Sequence, residues 1–393
     1  MKKLMVIGAS VLQLPAIIRA KELGYEVAVA DYNPEAIGIP YADKFYCVST
    51  IDKEKVLEAA TDFMPDGIMT LASDMPMRSV ALVCEKLGIS GISSETAIKA
   101  TDKGEMIKAF KEHDVPSPWF YIAKDFTVFE KIKDSVTYPC IMKPVDNSGS
   151  RGVVLIESKE ELERNFEYSI SQSRGAGVII EEYMTGPEVS VEIMIVDGKV
   201  NVLAITDKLT TGAPHFVEMG HSQQTRLDLK TQEQIKCVAT KAVKSVGIYN
   251  GPAHVEIMVT KDGPKMIELG ARMGGDCITT HLVPLSTGID MVEATIKIAC
   301  GLKPDLTQKF NKGSAIRYFN VPKGVIKEIS GVEDAKKIEG VKEITFVKKV
   351  GETSGDINSS TDRVGFVIAQ GENADGAIKI CEQVLRKIKI SVK

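Results

Sequence analysis

Over residues 1 to about 95, short apolar runs alternate with amphipathic stretches: KLMVIG, PAIIRAKELG, EVAVAD, KFYCV, KEKVLEAATDF, GIMTLA and PMRSVALVCEKLG. The compact apolar runs read as strands, and the longer stretches with apolar residues every third or fourth position read as helices. Strand and helix in strict alternation predict a parallel sheet covered on both faces. Gly8, Ala9 and Ser10 follow the first strand, where a doubly wound sheet opens toward ligand; Asp31 ends the second strand, and Ser73 and Asp74 end a later one. The run GASVLQ lacks the second and third glycines of a dinucleotide fingerprint, which argues against nicotinamide. Asp31 and Asp74 each read first as helix caps, with Asp74 also a candidate for a substrate site.

From Thr101 the texture changes: a helix runs to about His113, and Pro116 and Pro118 mark a linker into a new unit. In YPCIMKPVDNSGSRGVVLI, Lys143 ends a strand and the loop Asp146 to Gly152 leads to the next one. Backbone N–H groups of such a loop can wrap a polyphosphate beside a lysine, although a plain hairpin turn explains it as well. No helix opens with GK[ST] after it, so it is not a Walker loop. VIIEEYMTGPEVSVEIMIVDGKV then gives an apolar strand, a polar kink from Glu181 to Glu188, and an alternating strand. A kink between two lobes can offer a purine its backbone groups, with Glu188 reaching ribose hydroxyls. Thr206 to Gln224, with His215 and His221, reads either as a mobile substrate loop or as a surface hairpin. After a helix from Thr231 to Val246 comes HVEIMVTKDGPKMIELGARMGGD, two strands joined by a tight turn. An antiparallel hairpin brings Glu256 and Glu268 close together, and two carboxylates beside apolar surface repel unless a cation such as Mg²⁺ lies between them. Arg272 adds a fixed charge suited to phosphate. From about Lys312 the pattern is a small α+β module.

At 393 residues the chain exceeds one ordinary core and is expected to divide into several domains. A net charge of -4 gives no electrostatic reason to expect nucleic acid. The seven cysteines are scattered and never spaced as CxxC, so the expectation is reduced thiols in a cytoplasmic protein, without a disulfide framework or structural zinc. The start MKKLMVIGAS reads as a first strand and not a signal peptide, and no segment approaches the length of a membrane span.

Taken in order, Lys103, Lys143, the NSGSRG loop, EEY with Glu188, and the Glu256/Glu268 hairpin followed by Arg272 resemble the ATP-grasp superfamily, carboxylate-amine ligase type. Within it the chain is similar to L-amino acid ligases and to proteins like the carbamoyl-phosphate synthase large subunit. The resemblance implies an α/β ATP-grasp fold. Residues 1–100 would be a doubly wound pre-ATP-grasp domain and 101–301 the ATP-grasp domain, with a nucleotide-binding lobe and lid at about 115–185 and a metal-binding lobe at about 186–301. Residues 302–393 would be a C-terminal module like that of biotin carboxylase.

It also implies ATP and Mg²⁺, with Mn²⁺ as an alternative ion, a small carboxylate and an amine expected to be amino acids, and an allowance for a homodimer. By the same resemblance Lys103 and Lys143 would hold phosphates; Ser148, Gly149, Ser150 and Gly152 would belong to the lid; and Glu181, Glu182, Tyr183 and Met184 would line adenine. Glu188 would take the ribose, Glu256 and Glu268 the metal, Arg272 the tetrahedral intermediate, and His221 would face the substrates. Arg317 would reach back toward the site as a further arginine. The reaction implied is amide formation through an acyl phosphate, with ADP and phosphate released. Two other readings stay open: a bicarbonate-activating enzyme, although the chain has no MKM carrier motif, and a regulatory nucleotide-binding protein. The last draws on Gly270, which stands where relatives often place a metal-binding asparagine.

Overall fold

The structure is a computed structural model that describes residues 1–147, 152–213 and 216–393. Strands β1 (Lys3–Ile7), β2 (Glu26–Asp31), β3 (Lys44–Cys47) and β4 (Gly67–Met69) form a parallel sheet in the order β3-β2-β1-β4. Buried runs such as Leu4–Ile7 and Val27–Asp31 leave no solvent face, as expected of a sheet covered by helices on both sides. The strand order reverses between β1 and β4, so the loops after these two strands open a crevice, and Asp74 lies on one of them.

Asp102 then caps the helix Lys103–Glu112, accepting from the N–H groups of Gly104 and Glu105 at 2.9 and 3.0 Å, which places Lys103 at the helix start. An antiparallel sheet in the order β5-β8-β6-β7 follows, from β5 (Phe120–Ala123), β6 (Cys140–Pro144), β7 (Val154–Ile156) and β8 (Val178–Glu182). Its apolar face is closed by Phe129 and Phe166, stacked 4.0 Å apart.

The largest sheet runs β13-β12-β9-β10-β11-β14-β18-β16. Its strands are β9 (Glu188–Val196), β10 (Lys199–Thr210), β11 (Glu218–Gln223), β12 (Gly251–Thr260), β13 (Gly263–Gly270), β14 (Gly313–Tyr318), β16 (Val341–Phe346) and β18 (Gly365–Gly371). Strand β15 (Gly324–Ser330) pairs separately with β17 (Thr353–Ser354) and β19 (Lys389–Val392). The C-terminal module is therefore continuous with the lobe before it: β11 pairs with β14, setting Gly220 opposite Arg317 and His221 opposite Ile316. One face of this join carries Ile316, Tyr318 and Ile368 under the short π-helix Ile278–Leu282, and the other carries Ala315 and Val367 under the helix Ala374–Lys387.

Thr206–Gln224 is a hairpin, as one of the two readings had it, but its strands lie within the sheet and not at the surface. Most of it lies in β10 and β11 inside the sheet, because alternating β10 keeps pairing with β9 through Asp207 and then with β11, which buries His221. His215 falls outside the described residues. All seven cysteines are free, and among the described residues no helix is long and apolar enough to cross a membrane.

Candidate active site

The turn at Asp262 and Gly263 sets the register of β12 and β13 so that Glu256 and Glu268 face each other directly, with a bulge immediately after Glu256. Each carboxylate meets a buried ammonium. Lys103 Nζ lies 2.9 Å from Glu268 Oε2 and donates to the Asn147 carbonyl at 2.9 Å. Burial pulls the Lys103 ammonium down, but Glu268 outweighs it and the pKa sits above the ordinary lysine range. Lys208, which the sequence reading passed over, alternates onto the same face of β10 and reaches Glu188 Oε1 at 2.5 Å, Glu256 Oε2 at 3.2 Å and Glu218 Oε1 at 3.7 Å.

Three carboxyls around one ammonium cannot all be equally stabilised. Burial raises Glu188. Glu256 feels the same burial but is held well below the usual carboxylate range by Lys208 and His254. Lys208 stays protonated because the three carboxylates outweigh its own burial.

Arg272 is aimed by Asp74 on the N-terminal domain, with Nε to Oδ1 at 2.8 Å and Nη2 to Oδ2 at 3.0 Å. This two-pronged pair, and not helix capping, is the role the structure gives Asp74. Asp31 does not cap a helix either; it accepts from the N–H groups of Ala9 and Asn33 at 2.8 and 2.9 Å and braces the loop after β1. The pair also explains Gly270: a Cβ there would lie 2.6 Å from Asp74 Oδ1 and 3.0 Å from Arg272 Cζ, so the place of an asparagine is already filled by the guanidinium–carboxylate pair. Asp74, Lys103, Asn147 and Glu268 line a narrow cavity of about 30 Å³ between the N-terminal domain and the hairpin.

Deeper in the sheet, His254 bridges Glu192, at 2.9 Å from Nδ1, and Glu256, at 3.3 Å from Nε2. Gly274 is fitted to that bridge, since a Cβ would stand 2.6 Å from His254 Nδ1. Beyond it the chain turns sharply at Asp276 and Cys277, at φ +49° and +60°. That turn presents the Asp276 carboxylate to Arg363, at 2.7 and 2.8 Å, and to His221 Nε2 at 3.3 Å. Burial works against the charge on Asp276, yet His221 and Arg363 hold its pKa well below the ordinary aspartate range. Arg363, from the C-terminal module, also lies 3.8 Å over the Tyr318 ring. His221 Nδ1 is buried with no hydrogen-bond partner among the described residues.

The structure thus gathers Lys103, Glu256, Glu268, Glu188, Arg272 and His221 around this face together with Asp74, the substrate-site candidate at a strand end, and adds Lys208, Asp276 and Arg363, none of which stood in a recognisable local pattern. Lys143 is buried against Glu181 at 2.5 Å, and Glu182 pairs with Lys265 at 2.9 Å across the lobes. Tyr183 and Met184 open the linker to β9, Met184 buried and Tyr183 half-buried. Ser148, Gly149 and Ser150 lie outside the described residues. Gly152, at φ +77°, packs where a Cβ would lie 2.8 Å from the Pro144 ring. Arg317 is not brought to this face. Alternation along β14 turns Ile316 and Tyr318 toward the Asp276 side and Arg317 toward the C-terminal helix, where Nη1 donates to the carbonyls of His221 and Ile316 at 3.0 and 2.9 Å.

An ATP-grasp domain model matches residues 136–280, and a model of L-amino acid ligase C-terminal domain 2 matches residues 317–393. The uncharacterized protein y4rH of Sinorhizobium fredii is 24% identical over 329 residues, covering 82% of this chain and 68% of that protein. Alanine–anticapsin ligase of Bacillus subtilis is 27% identical over 316 residues, covering 74% of this chain and 66% of the ligase. The chain thus spans about two thirds of the length of these relatives. The crystal structure of L-amino acid ligase from Bacillus licheniformis superposes with a TM-score of 0.85 at 23% identity, covering 100% of this chain and 99% of that one, and so shares its fold. One match falls across the lobes that frame the charged face and the other over the module that extends their sheet, so residues 136–280 match an ATP-grasp domain and residues 317–393 match the second C-terminal domain of L-amino acid ligases.

Proposed function

We propose that the chain is an ATP-dependent ligase that joins a small carboxylate, expected to be an amino acid, to an amine through an acyl phosphate. The observation that supports it most is the directly opposed pair Glu256 and Glu268, flanked by the half-buried Lys103, by the buried Lys208 side chain and by Arg272 held on Asp74. Fixed charges of both signs around a crevice suit phosphoryl transfer, which depends on positioning and neutralisation and needs no protein nucleophile. Among the described residues no three His, Cys, Asp or Glu side chains converge as a self-sufficient metal cage. Two opposed carboxylates nevertheless fit Mg²⁺, which commonly keeps one or two protein carboxylates and fills its shell with water and phosphate oxygens. Bound there, it would supply positive charge to the phosphates.

In the first step a substrate carboxylate oxygen attacks the γ-phosphorus, the bond to the β,γ-bridging oxygen breaks, and ADP leaves. Lys103 and Lys143 neutralise phosphate oxygens, the 181–184 linker lines adenine, and Glu188 meets the ribose. In the second, the amine nitrogen attacks the acyl carbon, the oxyanion forms within reach of the Arg272 guanidinium, and the carbon–oxygen bond to phosphate breaks. His221, whose Nδ1 has no hydrogen-bond partner among the described residues, accepts the amine proton. The test is a screen of paired amino acids and small amines for ATP-dependent phosphate release. Release that requires both an acid and an amine supports the ligase. Release driven by bicarbonate instead, or ATP binding without turnover for every pair, would overturn it.

A further inference from the structure

On the far side of the large sheet from Lys208 and Glu256 lies a cavity of about 600 Å³, and Arg317 lines it. Gly220, Leu209 and Arg317 occupy one register row across β10, β11 and β14, while Lys208, His221 and Ile316 form the next row, so the two rows point to opposite faces. The cavity is closed by Pro322 and Ile357 from the C-terminal module and by Leu385 from its last helix. Its walls mix apolar side chains with the polar Thr210, Thr211 and Asn320, and its volume suits an organic ligand of modest size.

Arg317 is 9% exposed and forms no ion pair among the described residues. Nη1 donates to two backbone carbonyls, and no hydrogen bond of Nε or Nη2 is found among the described residues. A buried guanidinium without a carboxylate is unusual, because a charge taken from water needs a counter-charge. The contrast inside this chain is direct. At Arg272 and Arg363 the paired Asp74 and Asp276 outweigh burial and raise the guanidinium, whereas at Arg317 burial dominates and lowers it, Glu382 and Asp207 acting on it without an ion pair. Gly220 makes room for the guanidinium: a Cβ there would lie 2.7 Å from Nη1. The other charged residues lining the cavity are Lys323 and Asp356, which offset each other across 4.0 Å at the exposed mouth. The interior charge is therefore set by Arg317.

We propose that this cavity binds a small monocarboxylate with an apolar body, the carboxylate bridging the free edge of Arg317 and the body lying between Leu209, Pro322, Ile357 and Leu385. A guanidinium fork matches a carboxylate in two-pronged geometry, and Leu209, Pro322, Ile357 and Leu385 offer an apolar body contacts that a bare inorganic anion would not make. Leu209 and Arg317 stand on the opposite face from Lys208 and His221, and the proposal does not depend on the reading of the chemistry there.

The experiment titrates the full chain with hexanoate, hexan-1-ol and inorganic phosphate, followed by calorimetry and by ligand-observed NMR. Hexanoate should bind saturably at one site per chain, and hexan-1-ol and phosphate at least about ten-fold more weakly, as loss of either the charge or the apolar body requires. Arg317→Met should weaken hexanoate by at least about ten-fold, in line with loss of a charge-assisted contact. Should that variant fold poorly, Leu209→Trp decides: Leu209 is 48% exposed, so the larger ring is accommodated in the fold while it fills the cavity, and hexanoate binding should be lost. Absence of saturable hexanoate binding, equal affinity for hexan-1-ol, or hexanoate affinity unchanged by Leu209→Trp would each overturn the proposal.

Discussion

Replacing Lys208 by methionine removes the ammonium that sits within 4 Å of three carboxylates while keeping most of the apolar stem. The Lys208 side chain is only 4% exposed, and those of Glu188 and Glu256 are 21% and 20% exposed, so water can take over little of the lost compensation. Breaking one partner out of a buried ion pair typically destabilises by about 3–5 kcal/mol, because the remaining charge is left uncompensated. With a urea slope of about 3 kcal/mol/M for the lobe, that loss lowers the midpoint by about 1 to 1.7 M. The assay is urea unfolding followed by far-ultraviolet circular dichroism for wild type, Lys208→Met, Glu188→Gln and the double variant. Removing Glu188 as well should recover part of the loss, giving a coupling energy of about 1–3 kcal/mol between the two positions. A Lys208→Met midpoint within about 0.3 M of wild type, or additive single-variant effects, would show that the three carboxylates do not depend on this lysine.

Arg272→Lys should lower kcat/KM by about 100- to 1000-fold with ATP affinity little changed, since an ammonium cannot hold Asp74 and the oxyanion in one plane; steady-state kinetics with an independent nucleotide titration check it. Gly270→Asn should lower activity and not restore a metal ligand, because its Cβ would lie 2.6 Å from Asp74 Oδ1; phosphate release across a Mg²⁺ titration distinguishes the two. Glu268→Gln should abolish turnover while circular dichroism stays native, as its side chain is 30% exposed and contributes charge more than packing. For Asp276 the depressed pKa means stability that is present above the unfolded value and lost as pH falls through the folded one. Arg363→Gln should therefore destabilise at pH 7 and lose that deficit toward strongly acidic pH, measured as the urea midpoint against pH.

What the sequence made legible was local. Alternation and a tight turn at Asp262 were enough to set Glu256 against Glu268, since the register of a hairpin follows from its turn. The parallel sheet of the first domain was equally readable from buried apolar runs separated by helices. The partners that orient the charges were not, because Asp74 lies 198 residues from Arg272 and Arg363 lies 87 from Asp276, and no periodicity spans such gaps. Lys208 was hidden for another reason: in a strand that reads as half polar, a lysine gives no sign that its neighbours across β9 and β12 are glutamates. The resemblance carries Arg317 toward the site, but successive residues of a strand point to opposite faces, and the pairing of β14 with β11 turns Arg317 to the other side.

The central claim is that a carboxylate is activated by direct transfer of the γ-phosphoryl group. It is tested most directly by supplying an acid substrate labelled with heavy oxygen in its carboxylate and analysing the products by mass spectrometry and phosphorus NMR. The account predicts that one labelled oxygen per turnover appears in inorganic phosphate, with ADP formed in equal number to amide bonds. Label found instead in AMP, or phosphate free of label while amide accumulates, would contradict it.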